Sequence, residues 1–415
     1  MNTQPASPET TSPQSWRFRA IAAILGIADD LLPKILRPKC DAASLLRAAK
    51  ASPSPAAIQG LLQLVASLNT ESELSLFGTM AARFDCLRLL RNAEQIETQH
   101  RQNPAIGQAA VSAPIFILGL PRSGTTFLHA LMALDDANQV PRMWQTMYPS
   151  PRPPGFNPAQ HRHVRIVENQ LKFFAGLAPG FAQAHPVVAD SPQECTEITS
   201  QVFQSLRFDT NFRVPSYQQW LINHGHREAF QFHKKFLQVL QHGIQSPRWV
   251  LKCPDHVFTI DAILQTYPDA RFIVVHRDPM KVFASVAHLT EVLRRPFLKH
   301  VDPVEIGEQV TSRWIEGAHE LIMFDQRTDI PPKAKQNIHY EELIADPLAA
   351  LQKIYGNFGM ELSNAAKNAV LASLAANPRG GYTGLRRYPL GHFNIRPERL
   401  APQFADYVDH FHVTP

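Results

Sequence analysis

The sequence predicts an α/β protein in which helices flank a parallel, doubly wound sheet. Four short apolar runs, with helical patterns between them, support this prediction: IFIL (115–118), RWVLK (248–252), RFIVVHR (271–277) and QNIHY (336–340). Apolar strands that alternate with helices are typical of parallel sheets, because the helices cover both faces of the sheet. Ligands of such sheets bind at the carboxyl ends of the strands.

The composition is that of an ordinary globular protein. The chain has 415 residues, a length that suits one large domain or two of ordinary size. Of these residues 44% are hydrophobic and 19% charged, as in globular proteins. The net charge of +5 is compatible with an anionic ligand and equally with a slightly basic surface. The chain contains no block of like charges typical of a nucleic-acid-binding arm, so no nucleic-acid partner is expected.

The N-terminus, the apolar runs and the cysteines predict where the protein is located. The first residues have no hydrophobic stretch of the signal-peptide kind, and the apolar run at 20–28 is far shorter than the ~20 residues of a transmembrane helix. The four cysteines are scattered and include no CxxC pair, which favours reduced thiols. We therefore expect a cytoplasmic protein without a transmembrane segment.

Composition and pattern divide the chain into three regions. Residues 1–15 are expected to form a disordered leader, and residues 16–110 a helical extension that packs on the main domain. The main domain, 111–415, contains the predicted strands. It also contains a long insertion at 140–247, rich in Pro, Phe, Gln and His, which is expected to be mostly helical.

One helix of the extension has a clear sequence pattern. The residues Thr70-Glu71-Ser72-Glu73 match a capping box, which would place the start of a helix here. Apolar residues follow at spacings of three and four, as on one face of a helix: Phe77, Met80, Phe84, Leu87 and Leu90. We expect this helix to pack against the main domain.

The first apolar run is followed by a loop of the phosphate-binding type. Gly119 and Gly124 are separated by four residues, and hydroxyl residues open the next helix, as in loops whose N–H groups surround phosphate oxygens. A nucleotide hydrolase has lysine after the second glycine, where this chain has Thr125. Arg122 supplies a cation within the loop instead. We therefore expect a phosphate ligand without the usual magnesium–triphosphate equipment.

The loop sequence GLPRSGTT (119–126) resembles the 5′-phosphosulfate loop of sulfotransferases that use 3′-phosphoadenosine 5′-phosphosulfate. Its arginine form is typical of the bacterial sulfotransferase family and of tyrosylprotein sulfotransferases, whereas cytosolic steroid and phenol enzymes have lysine there. The resemblance implies that five loop residues bind this co-substrate: Arg122, Ser123, Gly124, Thr125 and Thr126.

A second motif follows on a later strand, in the stretch FIVVHRDPMKVFASV. Arg277 stands at the predicted strand end and Ser285 eight residues later, on the helix that follows. This spacing resembles the family's 3′-phosphate site, in which arginine and serine bind the phosphate on the ribose. A cation and a hydroxyl group can converge on one dianion where a strand and a helix meet.

The resemblance covers about residues 65–411 and is most specific at 115–131 and 249–290. HYEELIADP resembles the family's Tyr-Glu-x-Leu-x-x-x-Pro segment, and the C-terminal stretch looks like its closing loop and helix. In that loop Arg386, Arg387 and Tyr388 are candidates for contact with the nucleotide. The family's fold is the P-loop nucleotide-kinase-like form of the α/β sheet.

The reaction implied by the resemblance is in-line transfer of a sulfuryl group to a hydroxyl or amine of an acceptor. Catalysis of this kind depends on positioning and on cations that stabilise charge on the leaving side. Arg122 is the expected cation of the loop, and Lys252 matches a family lysine that contacts the transferring group. No metal is required. A small molecule, a lipid and a glycan all remain possible acceptors.

The acceptor must lose a proton, so a general base is expected. Where bacterial relatives often have Trp-Glu, this chain has Trp144-Gln145, and glutamine cannot act as a base. In the segment AHPVVADSPQECTEI, His185 and Glu194 occupy positions that resemble a histidine and an acidic Pro-x-Glu segment of the bacterial family. The resemblance implies that the base is either of these residues, or the two acting as a pair. His256 in KCPDH is a third candidate, for which capping or packing is the simpler interpretation.

Two alternatives accompany the sulfotransferase prediction. A catalytically inactive protein that binds adenosine bisphosphate is one, for which Gln145 is the argument. A P-loop small-molecule kinase is the other, and the missing lysine of the loop argues against it.

Overall fold

The computed structural model describes residues 38–153, 155–178, 180–181, 186–244, 248–376 and 389–414. Five parallel strands form one sheet in the order β2-β3-β1-β4-β5. The strands are β1 (Ile115–Leu118), β2 (Asn138–Gln139), β3 (Arg248–Lys252), β4 (Arg271–His276) and β5 (Lys335–His339). The predicted α/β class and parallel sheet are confirmed. Strand β2 was not predicted, because two residues are too few to form a recognisable apolar run. The leader expected at 1–15 lies outside the described residues.

The central strand β1 places the ends of its two neighbours beside the loop that follows it. Ile117 of β1 pairs with Lys252 at the end of β3, and Leu118 pairs with Val274 near the end of β4. Since all strands are parallel, their carboxyl ends lie at the same edge of the sheet. Residues that follow β1, β3 and β4 are therefore brought together.

Both faces of the sheet are covered, as the apolar runs predicted. Phe116 and Leu118 belong to one hydrophobic cluster, whereas Ile115 and Ile117 belong to another on the opposite face. The helices after β3 are α12 (Ile260–Thr266), α13 (Phe283–Arg294), α14 (Pro303–Asp325), α15 (Tyr340–Ala345), α16 (Pro347–Asn357), α17 (Asn364–Ala376), α18 (Pro397–Leu400) and α19 (Ala405–Phe411). The helices that precede them are numbered α1 to α11 below. Within the described ranges, no helix is long and apolar enough to span a membrane.

The N-terminal extension is helical, as predicted, but one of its helices begins later than the sequence pattern indicated. Its helices are α1 (Ala42–Ala49), α2 (Pro55–Thr70), α3 (Leu76–Gln102) and α4 (Pro104–Gln108). The capping box expected at Thr70 is wrong, because Thr70 ends α2 and Glu73 adopts a left-handed φ of 47°. Ser75 caps α3 instead, through its hydroxyl oxygen, which accepts the N–H of Gly78 at 2.9 Å.

The face of α3 that turns inward also differs in part from the apolar pattern. Leu90 is buried, but Met80 and Phe84 are 56% and 59% exposed. The helix instead buries a neighbouring stripe, which includes three small residues: Ala82, Cys86, Leu89, Ala93 and Ile96. Small side chains allow α3 to lie close to the helices that it contacts. The spacing of apolar residues in the sequence does not by itself show which of two adjacent helix faces is buried.

The insertion is mostly helical in its described parts, as predicted. It follows α5 (Thr125–Met132) and contains α6 (Met143–Met147), α7 (Arg162–Leu177), α8 (Thr196–Thr199), α9 (Arg207–Asn211), α10 (Pro215–His224) and α11 (Arg227–Leu240). Just before α8 the chain returns to the strand ends. There the backbone N–H of Cys195 donates to the carbonyl of Lys252 at 3.2 Å.

Candidate functional site

Two glycines hold the loop between β1 and α5 in a tight curve. Gly119 and Gly124 have φ angles of 144° and 98°, which L residues rarely adopt. A Cβ atom at Gly119 would lie 2.6 Å from the carbonyl oxygen of Val275, and one at Gly124 would lie 2.8 Å from the ring of Tyr340. The loop is therefore packed closely between β4 and the start of α15, and a side chain at either glycine would force it open.

Arg122 lies between these glycines with a left-handed backbone, φ 64°. Such a conformation costs a non-glycine residue about 1–3 kcal/mol and persists only where the surroundings enforce it. One enforcing contact is a hydrogen bond of 2.7 Å, in which Nη1 of Arg277 donates to the carbonyl oxygen of Arg122. The two arginines that the sequence singled out are thus joined directly.

Arg277 follows β4, and its guanidinium group also lies over the ring of Tyr340, 3.9 Å from the ring centroid. The next residue, Asp278, accepts the N–H of Met280 at 2.9 Å and so caps a short 3₁₀-helix. That turn leads into α13, whose first turn contains Ser285. Strand end, turn and helix therefore follow one another as the sequence indicated.

Two buried polar atoms in this region have no hydrogen-bond partner among the described residues: Ser123 Oγ and Arg277 Nε. A buried donor without a partner is costly, and such atoms usually indicate a ligand, an ion or a water molecule. Both atoms are donors beside a glycine loop and a helix N-terminus. The residues present therefore fit an anion with several oxygen atoms.

Lys252 connects the loop side of the site to the insertion. Its side chain is only 3% exposed, and its Nζ donates to Thr126 Oγ1 at 3.1 Å. The same ammonium group forms an ion pair with Oε1 of Glu194, a residue whose side chain is 26% exposed. A buried cation and a solvent-accessible carboxylate thus stand side by side at the strand ends. Chemically, the first can neutralise a negative oxygen and the second can accept a proton.

The remaining candidates for a base differ from Glu194 in their surroundings. His185 lies outside the described residues, as do Arg386, Arg387 and Tyr388 of the closing loop. His256 is 3% exposed, and its ring stands edge-on to Phe116. Burial holds the pKa of His256 well below its ordinary value, so the ring is neutral and shielded from solvent. Packing is therefore its role, as the sequence favoured.

Gln145, at the position where the resemblance led us to expect a glutamate, is a structural residue. It is 4% exposed, its Oε1 accepts the N–H of Arg142 at 3.2 Å, and its Nε2 donates to the carbonyl of Ser150 at 3.2 Å. Both polar ends of the side chain are used to hold the backbone of α6 and the loop after it.

Sequence reasoning did not single out Asp255, which lies behind Lys252. Asp255 lines a cavity of about 20 Å³ together with Cys253 and His256, and such a cavity has room for about one water molecule. Burial raises the pKa of Asp255 to about 6, although the nearby Arg313 opposes this shift. Its position three residues after Lys252 was the available signal. Across the described ranges, no group of three or more His, Cys, Asp or Glu residues could hold a metal ion.

The site combines a glycine loop, the joined arginines Arg122 and Arg277, and Lys252 at a strand end. These features can be compared with those of known protein families. The profile of the sulfotransferase family matches residues 114–364, and the chain belongs to this family. The match begins just before β1 and ends at the start of α17, so it includes the site residues discussed above except those of the closing loop, 386–388.

Known relatives agree with this membership. The chain is 26% identical over 263 residues to the omega-hydroxy-beta-dihydromenaquinone-9 sulfotransferase Stf3 of Mycobacterium bovis, a match that spans 60% of this chain and 63% of that protein. Among solved structures, sulfotransferase STF9 from Mycobacterium avium is 26% identical, with a TM-score of 0.80 over 90% of this chain and 96% of that one. Sulfotransferase STF1 from Mycobacterium tuberculosis H37Rv has a TM-score of 0.77 at 26% identity, over 91% and 99% of the two chains.

Proposed function

We propose that this protein is an enzyme that transfers a sulfuryl group from 3′-phosphoadenosine 5′-phosphosulfate to a hydroxyl or amine of an acceptor. The observation that carries the proposal is the hydrogen bond of 2.7 Å from Arg277 Nη1 to the carbonyl of Arg122. It joins two anion-binding elements, the glycine loop and the strand-end arginine. A donor with phosphates on both its 5′ and 3′ oxygens needs two such elements at a fixed separation.

In this proposal the donor is held by residues on both sides of that hydrogen bond. The loop N–H groups, Arg122, Ser123, Thr125 and Thr126 bind the 5′-phosphate side, where the helix N-terminus adds positive potential. Arg277 and Ser285 bind the 3′-phosphate. The unpartnered Ser123 Oγ and Arg277 Nε support this division, because each element contributes one buried donor that an oxygen of the ligand would satisfy. The bound donor supplies the sulfuryl group and, in its phosphate, the leaving group.

The catalytic residues of the proposal are Arg122, Lys252 and Glu194. Arg122 and Lys252 stabilise the negative charge that develops on the leaving side, where their fixed positions require no reorganisation. Glu194 accepts the acceptor's proton on its carboxylate. The contact of Lys252 with both Thr126 and Glu194 supports these roles, because it brings the donor loop and the base to one ammonium group. His185 remains a prediction as a second base or as a partner of Glu194.

The acceptor of the proposal carries an apolar part, as in a lipid. Phe174 packs against Phe181 and Phe297, with ring centroids 4.9 Å and 6.0 Å away. Val188 is 57% exposed, and both it and Phe181 lie in the segment that leads to Glu194. Apolar side chains in the part of the chain that precedes the proposed base support an acceptor whose hydroxyl stands at the end of a hydrocarbon chain. The mycobacterial relative is itself named for an omega-hydroxy acceptor.

Ligand-induced thermal stabilisation tests the donor assignment. Adenosine 3′,5′-bisphosphate should raise the melting temperature at concentrations where ATP with Mg²⁺ has little effect. A preference for ATP with Mg²⁺ would contradict the proposal and favour a small-molecule kinase.

A sulfur-labelled donor, offered with acceptors, tests the enzyme itself. Primary alcohols of increasing length should give a kcat/KM that rises up to roughly fourfold per buried methylene, the equivalent of 0.8 kcal/mol. A flat series, or a preference for sugars, would contradict the apolar acceptor. Binding of the bisphosphate without transfer to any acceptor would favour the inactive alternative.

A further inference from the structure

Four charged side chains join the N-terminal extension to the insertion. Asp85 of α3 accepts hydrogen bonds from Arg88 at 2.6 Å and from Arg207 at 2.8 Å. Arg207 in turn donates to Glu197 at 2.6 Å, and Arg88 lies 3.9 Å from the second oxygen of Glu197. We call these four residues the four-charge cluster. It contains two anions and two cations, and their contacts form a closed ring.

The four-charge cluster is largely buried, so its geometry is strongly constrained. The exposed fractions of the side chains are 6% for Arg88, 14% for Arg207, 16% for Glu197 and 19% for Asp85. Burial by itself would raise the pKa of Asp85, but Arg207 and Arg88 outweigh it and hold that pKa well below its usual range. Because charge is balanced only while all four side chains keep their places, loss of one leaves an uncompensated charge in a largely buried cluster.

The cluster adjoins the proposed base through one helical turn. Glu197 belongs to α8, and its backbone N–H donates to the carbonyl oxygen of Glu194 at 3.2 Å. The turn that begins at Glu194 is therefore held at one end by Lys252 and at the other by Arg207 and Arg88. Any rotation of this turn would move the carboxylate of Glu194 relative to Lys252.

The same side of α3 contacts a second part of the insertion. One and two turns beyond Arg88, Asn92 donates to the carbonyl of Met147 at 3.1 Å and Gln95 to that of Pro149 at 2.7 Å. Residues spaced by three and four lie on one helix face. A single polar stripe of α3 thus contacts two separate segments of the insertion, the one that contains Glu197 and the one at 147–149.

We propose that α3 is part of the catalytic apparatus, with Asp85 and Arg88 as positioning residues that orient Glu194 through Glu197 and Arg207. The inference rests on the proposed function for its kinetic consequence. It gives the extension, which lies outside the residues matched by the family profile, a role beyond packing.

Asp85→Asn tests the inference, with Glu97→Gln as the matched control. Glu97 lies on the same helix and forms an ion pair of 2.8 Å with Lys235 of α11, away from the four-charge cluster. Asp85→Asn should lower kcat roughly ten- to a hundredfold, as loss of an orienting contact does, and leave the affinity for adenosine 3′,5′-bisphosphate within twofold. Glu97→Gln should leave both unchanged. Asp85→Glu should recover part of kcat.

Hydrogen exchange supplies a readout that does not depend on activity. Amide protons at 194–207 should exchange faster in Asp85→Asn than in the parent protein or in Glu97→Gln. If Asp85→Asn does not fold, the charge-balanced pair Asp85→Asn with Arg207→Gln carries the same measurements. Unchanged exchange, or a kcat equal to that of the control, overturns the positioning role. An inactive parent protein with the expected exchange pattern would instead contradict the proposed function alone.

Discussion

Replacement of Arg277 by alanine is expected to weaken nucleotide binding through one specific phosphate. In the structure Arg277 donates to the carbonyl of Arg122 at 2.7 Å and lies over Tyr340, while its Nε has no partner among the described residues. A hydrogen bond to a charged group contributes about 1.5–3 kcal/mol, so the dissociation constant of adenosine 3′,5′-bisphosphate should rise roughly 10- to 150-fold.

Calorimetric titration with two ligands separates the direct contact from a general disturbance of the loop. Adenosine 5′-phosphate lacks the 3′-phosphate, so its affinity should fall much less in Arg277→Ala than that of the bisphosphate. The difference between the two losses measures the interaction with the 3′-phosphate, as in a double-mutant cycle. A loss that is equal for both ligands would refute the assignment, because Arg277 would then act only by supporting the loop.

Arg271→Ala is the matched control for this experiment. Arg271 begins the same strand, donates to the carbonyl of Phe358 at 3.1 Å and lies over the Phe358 ring, so it makes the same kinds of contact at the opposite end of β4. It should cost some stability and leave the affinity for both nucleotides unchanged.

Three further predictions concern the base, the loop and the buried acid. Glu194→Gln should reduce turnover roughly 10²–10⁴-fold in a labelled-sulfate assay and leave bisphosphate binding intact; full activity would place the base elsewhere. Gly124→Ala should reduce bisphosphate affinity at least tenfold because its Cβ meets Tyr340, whereas Gly359→Ala, with φ 63° and no described atom within 4 Å, should only lower the melting temperature by a few degrees. Asp255 has a folded pKa of about 6, above its ordinary value because of burial, so its contribution favours folding at low pH and is lost as pH rises through 6. Asp255→Asn should therefore stabilise the protein by roughly 1–1.5 kcal/mol more at pH 8 than at pH 5 in denaturant titrations, since part of the loss has already occurred below pH 5. An equal effect at both pH values would contradict the shift.

Features that depend on a few neighbouring residues could be predicted from the sequence. Apolar runs predicted four of the five strands, and the spacing of Gly119 and Gly124 predicted a loop that the left-handed φ angles of both residues confirm. Arg277 and Ser285 could be located because a strand, a turn and a helix follow one another without interruption. The periodicity of α3 was weaker evidence. Several of its faces carry apolar residues, and burial of Ala82 and Cys86 rather than Met80 and Phe84 depends on which helices lie nearby.

The contacts between separate motifs could not be predicted from the sequence. Glu194 and Lys252 are 58 residues apart, Arg277 and Arg122 are 155 apart, and Asp85 and Arg207 are 122 apart. Each of these contacts joins elements whose relative position follows from packing on both faces of the sheet, and no local pattern specifies that packing. From the sequence alone, a glutamate that follows Ser-Pro can stand in the first turn of a helix or act as a base. A lysine at a strand end can extend into solvent or contact a substrate. The two residues form an ion pair because Lys252 lies at the edge where the parallel strands end and the insertion returns to that edge at Cys195.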